Sequence, residues 1–179
     1  MKFLSRRSLT QHLIHSIIYR DMKPQNIGLD KHNNAKIYDF GLAKELRDDM
    51  KDIKSSRKHK YDTYIATQCV GSPRYMAPEV NSGFEYGFRA DIYSFSLVLW
   101  ELMTLKLCFE DITNTIDLAS NVYEKKIRPD IKKDWPKELK RLLRRGWHHD
   151  PFNRPEAAEY CDELQICMRQ RMLNICTNL

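Results

Sequence analysis

The chain has 179 residues, of which 42% are hydrophobic and 11% aromatic; that is enough for one domain with a sizeable core, too little for two ordinary ones, and too apolar for a disordered chain. A formal net charge of +6 fits either acidic partners or a lysine-rich solvated surface. The five cysteines (69, 108, 161, 167 and 176) are odd in number and show no C-x-x-C spacing, which argues against a disulfide framework or a zinc site and for reduced thiols inside a cell.

Residues 1–15 mix basic and apolar types and read as a short helix. Met1-Lys2-Phe3-Leu4 runs at once into Arg6 and Arg7, without the apolar stretch of a secretory signal. Ile17-Ile18-Tyr19 is β-prone, and Lys23-Pro24-Gln25-Asn26 reads as a loop because proline forces its predecessor away from helix. Strand-like pieces at 27–29 and 35–38, with turn residues Asp30 to Asn34 between them, predict a hairpin with Asp21, Asn26 and Asp39 at one end. Glu45 to Lys60 is charged and without apolar period, so it reads as a mobile loop. Its basic residues Lys51, Lys54, Arg57, Lys58 and Lys60 read as a solvated face, with no nucleic acid expected.

Gly71-Ser72-Pro73 and Ala77-Pro78 break up the next stretch. Ile92 to Thr104 is apolar on nearly every face, as in a helix at a domain's centre. With Ser94, Ser96, Glu101 and Thr104 it is too short and too polar to span a bilayer, so no membrane partner is expected. Leu139, Leu142, Leu143 and Trp147 keep helical spacing, as do Ala157, Tyr160, Cys161, Leu164 and Met168 after Pro155, a residue suited to a first helical turn. Asp150-Pro151 and Arg154-Pro155 mark the loop between those helices. The pairs His12/His15 and His148/His149 lack a third ligand nearby in sequence and read as surface or capping residues. The predicted architecture is mainly α (α+β), with a small β-hairpin at one edge.

Three strings stand in order: Tyr19-Arg20-Asp21-Met22-Lys23-Pro24-Gln25-Asn26, then Asp39-Phe40-Gly41 thirteen residues after Asn26, then Met76-Ala77-Pro78-Glu79. They resemble the catalytic loop, the metal-binding D-F-G and the A-P-E of protein kinases. Asp91-Ile92-Tyr93-Ser94-Phe95 resembles the start of that family's central helix, and Gly146 to Pro155 its late W-x-x-D-P-x-x-R-P segment. The resemblance covers about residues 10–170 and is closest in style to tyrosine-kinase-like Ser/Thr kinases.

The resemblance implies a protein-kinase-like fold that uses ATP and Mg2+ on a protein substrate. Asp21 would accept or orient the substrate hydroxyl proton, and Lys23 would neutralise the γ-phosphate. Asn26 and Asp39 would bind magnesium, and Gly41 would let the backbone turn after Asp39. Arg20 would meet a phosphate on the activation segment, where Thr67 is a candidate phosphosite and Ser72 would bond near Asp21 and Lys23. Glu79 and Arg154 would form a buried ion pair, and Asp91 would brace the catalytic-loop backbone. Lys23, two residues after Asp21, is the Ser/Thr-type signature.

The sequence also departs from the family. Tyr19 replaces the usual histidine, Gly28 falls where a large apolar residue usually floors the adenine pocket, and Ser96 replaces a usual glycine. Only twenty residues precede Asp21, and the six glycines contain no G-x-G. The expectation is a single partial domain over 1–179, a C-terminal lobe without its N-lobe. It would be cytoplasmic and inactive or nearly so alone, with a complementing N-lobe or a regulator as partner. The alternative is a non-catalytic interaction module of the same descent.

Overall fold

The computed structural model describes residues 17–47, 50–51, 62–65, 67 and 69–177, with side chains to residue 169. The helix expected over residues 1–15 lies outside the described residues.

The core forms around α2 (Arg89–Thr104), the helix whose sequence is apolar on nearly all sides. Tyr93, Leu97, Val98 and Leu99 are buried there. Several of its buried polar side chains find internal partners, as burial favours, although the Tyr93 hydroxyl has none among the described residues. Ser94 Oγ donates to Tyr75 O at 2.7 Å, and Glu101 accepts from Tyr75 Oη at 3.1 Å and from Cys108 N–H at 2.7 Å. Two amphipathic helices flank it. These are α4 (Lys137–Gly146), which buries Leu139, Leu142 and Leu143, and α5 (Ala157–Thr177), which buries Tyr160 and Leu164. Pro155 stands two residues before α5 rather than in its first turn, and Trp147 caps the end of α4 while staying buried.

Glycine decides how closely these helices approach. A Cβ on Gly146 would lie 2.0 Å from Ser96 Oγ and 2.5 Å from Tyr160 Cε2. Ser96 Oγ in turn bonds Ile92 O at 2.7 Å and the Tyr160 hydroxyl at 3.0 Å. The serine that stands at a usual glycine position is thus accommodated by a glycine on the facing helix.

Short elements fill the rest. Strand β1 (Ile17–Ile18) pairs antiparallel with β4 (Lys44–Glu45), and β2 (Ile27–Leu29) pairs with β3 (Ala35–Ile37) in the hairpin the turn residues predicted. Helix α1 (Pro78–Asn81) starts at Pro78 with Ala77 as its N-cap, and α3 (Thr115–Leu118) runs on into a π-helical turn, Ala119–Glu124, which the sequence did not announce. The loop expected from Glu45 to Lys60 begins differently. Glu45 is paired in β4 and Leu46 is buried, so the first residues are pinned to the core despite their charged neighbours. The rest of that stretch, apart from Arg47, Met50 and Lys51, lies outside the described residues. No helix among the described residues is long and apolar enough to cross a membrane.

Candidate active site

The loop after β1 is held by one carboxylate. Asp91, in the first turn of α2, accepts from the backbone N–H of Tyr19 at 2.7 Å and of Arg20 at 2.8 Å. Fixing two consecutive amides forces an unusual conformation, and Arg20 adopts φ +70°. Gly71 presses against the same spot: its φ is +113°, and a Cβ there would lie 2.3 Å from Arg20 O.

Asp21 follows, buried at 7% exposure, with polar partners on both carboxylate oxygens. Its Oδ2 meets Lys23 Nζ at 2.7 Å and Asn26 Nδ2 at 3.0 Å. Its Oδ1 accepts from Ser72 N–H at 3.1 Å and Ser72 Oγ at 2.8 Å. Lys23 Nζ also donates to Ser72 Oγ at 3.0 Å. Burial opposes ionisation of Asp21, but the hydrogen bonds from Lys23, Ser72 and Asn26 outweigh it and hold the carboxyl below its ordinary value.

Asn26 ends a single 3-10 turn, Pro24–Asn26, and directs its amide hydrogens at Asp21 O and Oδ2, both at 3.0 Å. The donor left to it for a cation is its amide oxygen. Asp39 stands across the open end of the hairpin, one residue beyond Tyr38, whose N–H donates to Asn26 O at 2.8 Å. Asp39 is exposed, and its Oδ1 accepts from Gly41 N–H at 3.1 Å. Gly41 lies in the turn that follows, closed by Ala43 N–H donating to Phe40 O at 3.0 Å, while the positive φ of this stretch, +55°, falls on Asp39. A short side chain that bonds the backbone two residues on stabilises this conformation without glycine.

An amide oxygen and a carboxylate are hard donors of the kind magnesium takes, and one carboxylate suits an ion that brings phosphate oxygens with it. The residues therefore fit the ion that the resemblance implies. Tyr19, fully buried, closes the back of this group. Its hydroxyl donates to Tyr38 O at 2.5 Å and its ring meets Phe40 edge-on at 5.4 Å. Burial pushes its pKa up to about 12; the nearby Asn26 amide acts the other way, and the charges of Asp21, Asp39 and Asp91 add to the rise. The sequence marked Tyr19 only as a replacement for histidine; its hydroxyl is what ties the loop to the far strand of the hairpin.

Arg20 and Thr67 are joined through Tyr86. Arg20 Nε donates to Leu42 O at 2.7 Å and Nη1 to Tyr86 Oη at 3.1 Å, and Tyr86 Oη donates to Thr67 O at 2.6 Å. Thr67 is exposed. Tyr86 was not singled out from sequence, yet it links Arg20 to this segment. Glu79 and Arg154 form a buried pair with two contacts of 2.7 Å. His148 and His149 lie at the loop after α4, where Asp150 N–H donates to His148 Nδ1 at 3.1 Å.

Comparison with known proteins gives a consistent result. The family model for the protein kinase domain matches residues 9–164. A probable serine/threonine-protein kinase of Dictyostelium discoideum is 38% identical over 143 residues, 80% of this chain and 14% of that protein. The dual specificity protein kinase pyk3 of the same organism is 36% identical over 92% of this chain and 11% of its own length. The serine/threonine-protein kinase STY46 of Arabidopsis thaliana is 37% identical over 84% of this chain and 24% of its own length. The chain thus spans between about a tenth and a quarter of the length of these relatives.

Proposed function

The chain belongs to the protein kinase domain family, and from that premise we propose that it carries the catalytic and magnesium-binding loops of a protein serine/threonine kinase of the tyrosine-kinase-like group. The supporting observation is the cluster in which Asp21 is held by Lys23, Asn26 and Ser72 within 3.1 Å.

In this reading the substrate hydroxyl oxygen forms a bond to the γ-phosphorus of ATP as the bond to the leaving ADP oxygen breaks, and Asp21 orients and takes the hydroxyl proton. Lys23 neutralises the γ-phosphate, and its contact with Ser72 couples it to the segment leading to Glu79. Asn26 and Asp39 hold magnesium, which when bound offsets charge on the phosphates. Asp91 and Gly41 keep the two loops in shape. Lys23 supports Ser/Thr over Tyr specificity. Arg20, through Tyr86, and Thr67 form the regulatory link, and a protein substrate in the cytoplasm completes the reading.

A glycine-rich loop and its strand lysine have no counterpart among these 179 residues. The chain therefore supplies the C-lobe wall of the nucleotide site, and an opposing lobe must supply the rest. A second reading, a kinase-like interaction module without transfer, is favoured by Gly28, which leaves no side chain at a nucleotide-floor position.

The test is transfer from radiolabelled ATP to a Ser/Thr peptide by a protein in which the opposing lobe is present. Asp21→Asn and Asp39→Asn should each reduce transfer at least a hundredfold with the fold intact by circular dichroism. Undiminished transfer by Asp39→Asn would remove the metal assignment, and no transfer by the unsubstituted protein would favour the interaction module.

A further inference from the structure

The segment between the π-helical turn and α4 meets the loop after α4 at an open cavity of about 530 Å³. Lys126, Arg128 and Arg144 bring positive charge to its wall, His148 and His149 stand beside them, and Asp130 is the one acid that lines it. Lys126 and Arg144 are exposed and have no acidic partner among the described residues.

Arg128 sets the character of this cavity. Its Nε donates to Trp147 O at 2.9 Å, and its Nη1 donates to Val122 O and Ile127 O, both at 2.8 Å. Its Cζ lies 5.0 Å from the centre of the Tyr93 ring. These contacts fix the guanidinium without neutralising it, because each acceptor is a carbonyl and no carboxylate among the described residues forms an ion pair with it. Nη2 is shut off from water and has no acceptor at all. His149 carries a second atom of this kind, Nδ1. Two neighbouring side chains that line one cavity thus each hold a buried nitrogen without a partner, and a half-buried cation lacks its counter-ion.

We propose that this cavity binds a small tetrahedral oxyanion of the phosphate class, free phosphate or a phosphate monoester, between Arg128 Nη2 and His149 Nδ1. Lys126 and Arg144 add long-range attraction, and the planar guanidinium suits phosphate oxygens. The site shares no residue with the Asp21 cluster and does not depend on the kinase reading. Burial lowers the pKa of His149, the charges of Lys126, Arg128 and Arg154 lower it further, and Glu79 acts the other way. The ring is therefore neutral at neutral pH, and a bound anion draws a proton onto it, which makes Nδ1 a charged donor. The plain alternative is an ordered water that satisfies these two atoms.

The experiment is an NMR titration of the full chain with inorganic phosphate, with O-phosphoserine and with sulfate, read at the Arg128 guanidinium and the His149 ring. Sulfate keeps a constant charge, so its pH dependence reports the protein alone. Saturable shifts of both groups are expected, with the His149 pKa raised in the bound state. Sulfate should bind more tightly as pH falls from about 8 to about 6. Arg128→Met should weaken it about tenfold or more. Because that variant also loses three carbonyl contacts, His149→Gln and the exposed pair Lys126→Asn with Arg144→Gln test the site without touching them. Both should weaken sulfate, and His149→Gln should also abolish the pH dependence, whereas His148→Gln should keep it. Tighter binding of O-phosphoserine than of phosphate would identify a monoester as the source, and the reverse would identify the free anion. An absence of saturable shifts would leave only water in the cavity and overturn the proposal. Wild-type affinity in Arg128→Met, or an unchanged pH dependence in His149→Gln, would overturn it as well.

Discussion

Arg154 holds Glu79 through both terminal guanidinium nitrogens at 2.7 Å, across 75 residues of sequence. The remaining N–H groups reach Arg89 O at 3.0 Å, His148 O at 2.8 Å and His149 O at 3.1 Å, so all five donors are used. The group lies 5.0 Å over the Tyr93 ring and is out of contact with water. It fastens helix α1, and hence the segment carrying Ser72, to the loop between α4 and α5. Arg154→Met should therefore destabilise the fold by about 3–5 kcal/mol, because a buried carboxylate and three carbonyls lose their partner. Glu79→Gln should cost less, since the arginine keeps its carbonyls. Urea melts read the order of the two; equal stability of Arg154→Met and wild type would show the pair to be dispensable.

Gly146 is the second packing constraint. Gly146→Ala places a methyl group where Ser96 Oγ and Tyr160 Cε2 already lie, at 2.0 and 2.5 Å. Overpacking of this kind costs about 1–3 kcal/mol. Ser96→Gly in the same chain should recover part of the loss by removing one of the two clashing groups, which thermal melts of the single and double variants would reveal.

The depressed pKa of Asp21 has a definite pH consequence. Its folded value lies below the unfolded one of about 3.9. The stability it adds is fully present above the unfolded value and is lost as pH falls through the folded value. Replacing Asp21 with Asn removes that pH-dependent part. The stability gap between wild type and Asp21→Asn should thus be constant from pH 7 to about pH 5 and narrow steadily below the unfolded value. A gap that widens on acidification would mean the carboxyl is not stabilised in its charged form.

Residues 1–179 alone should phosphorylate nothing measurable. Aligning the reacting groups supplies roughly 7–11 kcal/mol of barrier, and losing half of it slows turnover a thousandfold or more. The exposed Leu29, Tyr38, Phe40 and Leu42 at the catalytic edge give this chain an apolar strip that an opposing lobe would cover. Radiolabelled ATP, magnesium and a basic protein substrate make the assay. Incorporation above background that disappears with Asp21→Ala would show that the 179 residues complete their own site.

The chain's local patterns announced its elements. The unbroken apolar character of Ile92 to Thr104 marked the central helix, the turn residues between Ile27 and Ile37 marked the hairpin, and the spacing of Leu139, Leu142 and Leu143 marked α4, because each is a period read within one element. The order of the Asp21, Asp39 and Glu79 strings indicated the family, since motif identity survives without any knowledge of contacts. Only the tertiary structure decided what joins these pieces. Asp91 reaches Tyr19 across 72 residues, Tyr19 reaches Tyr38 through a hydroxyl, and Ser96 is admitted by Gly146. It also put a positive φ on Asp39, ahead of the turn that holds Gly41, and set the Tyr38 ring against Gly28. Periodicity reports which face of an element is buried, but a clamp or a clash depends on which distant residue arrives there, and that is fixed when the helices and the hairpin close on one another.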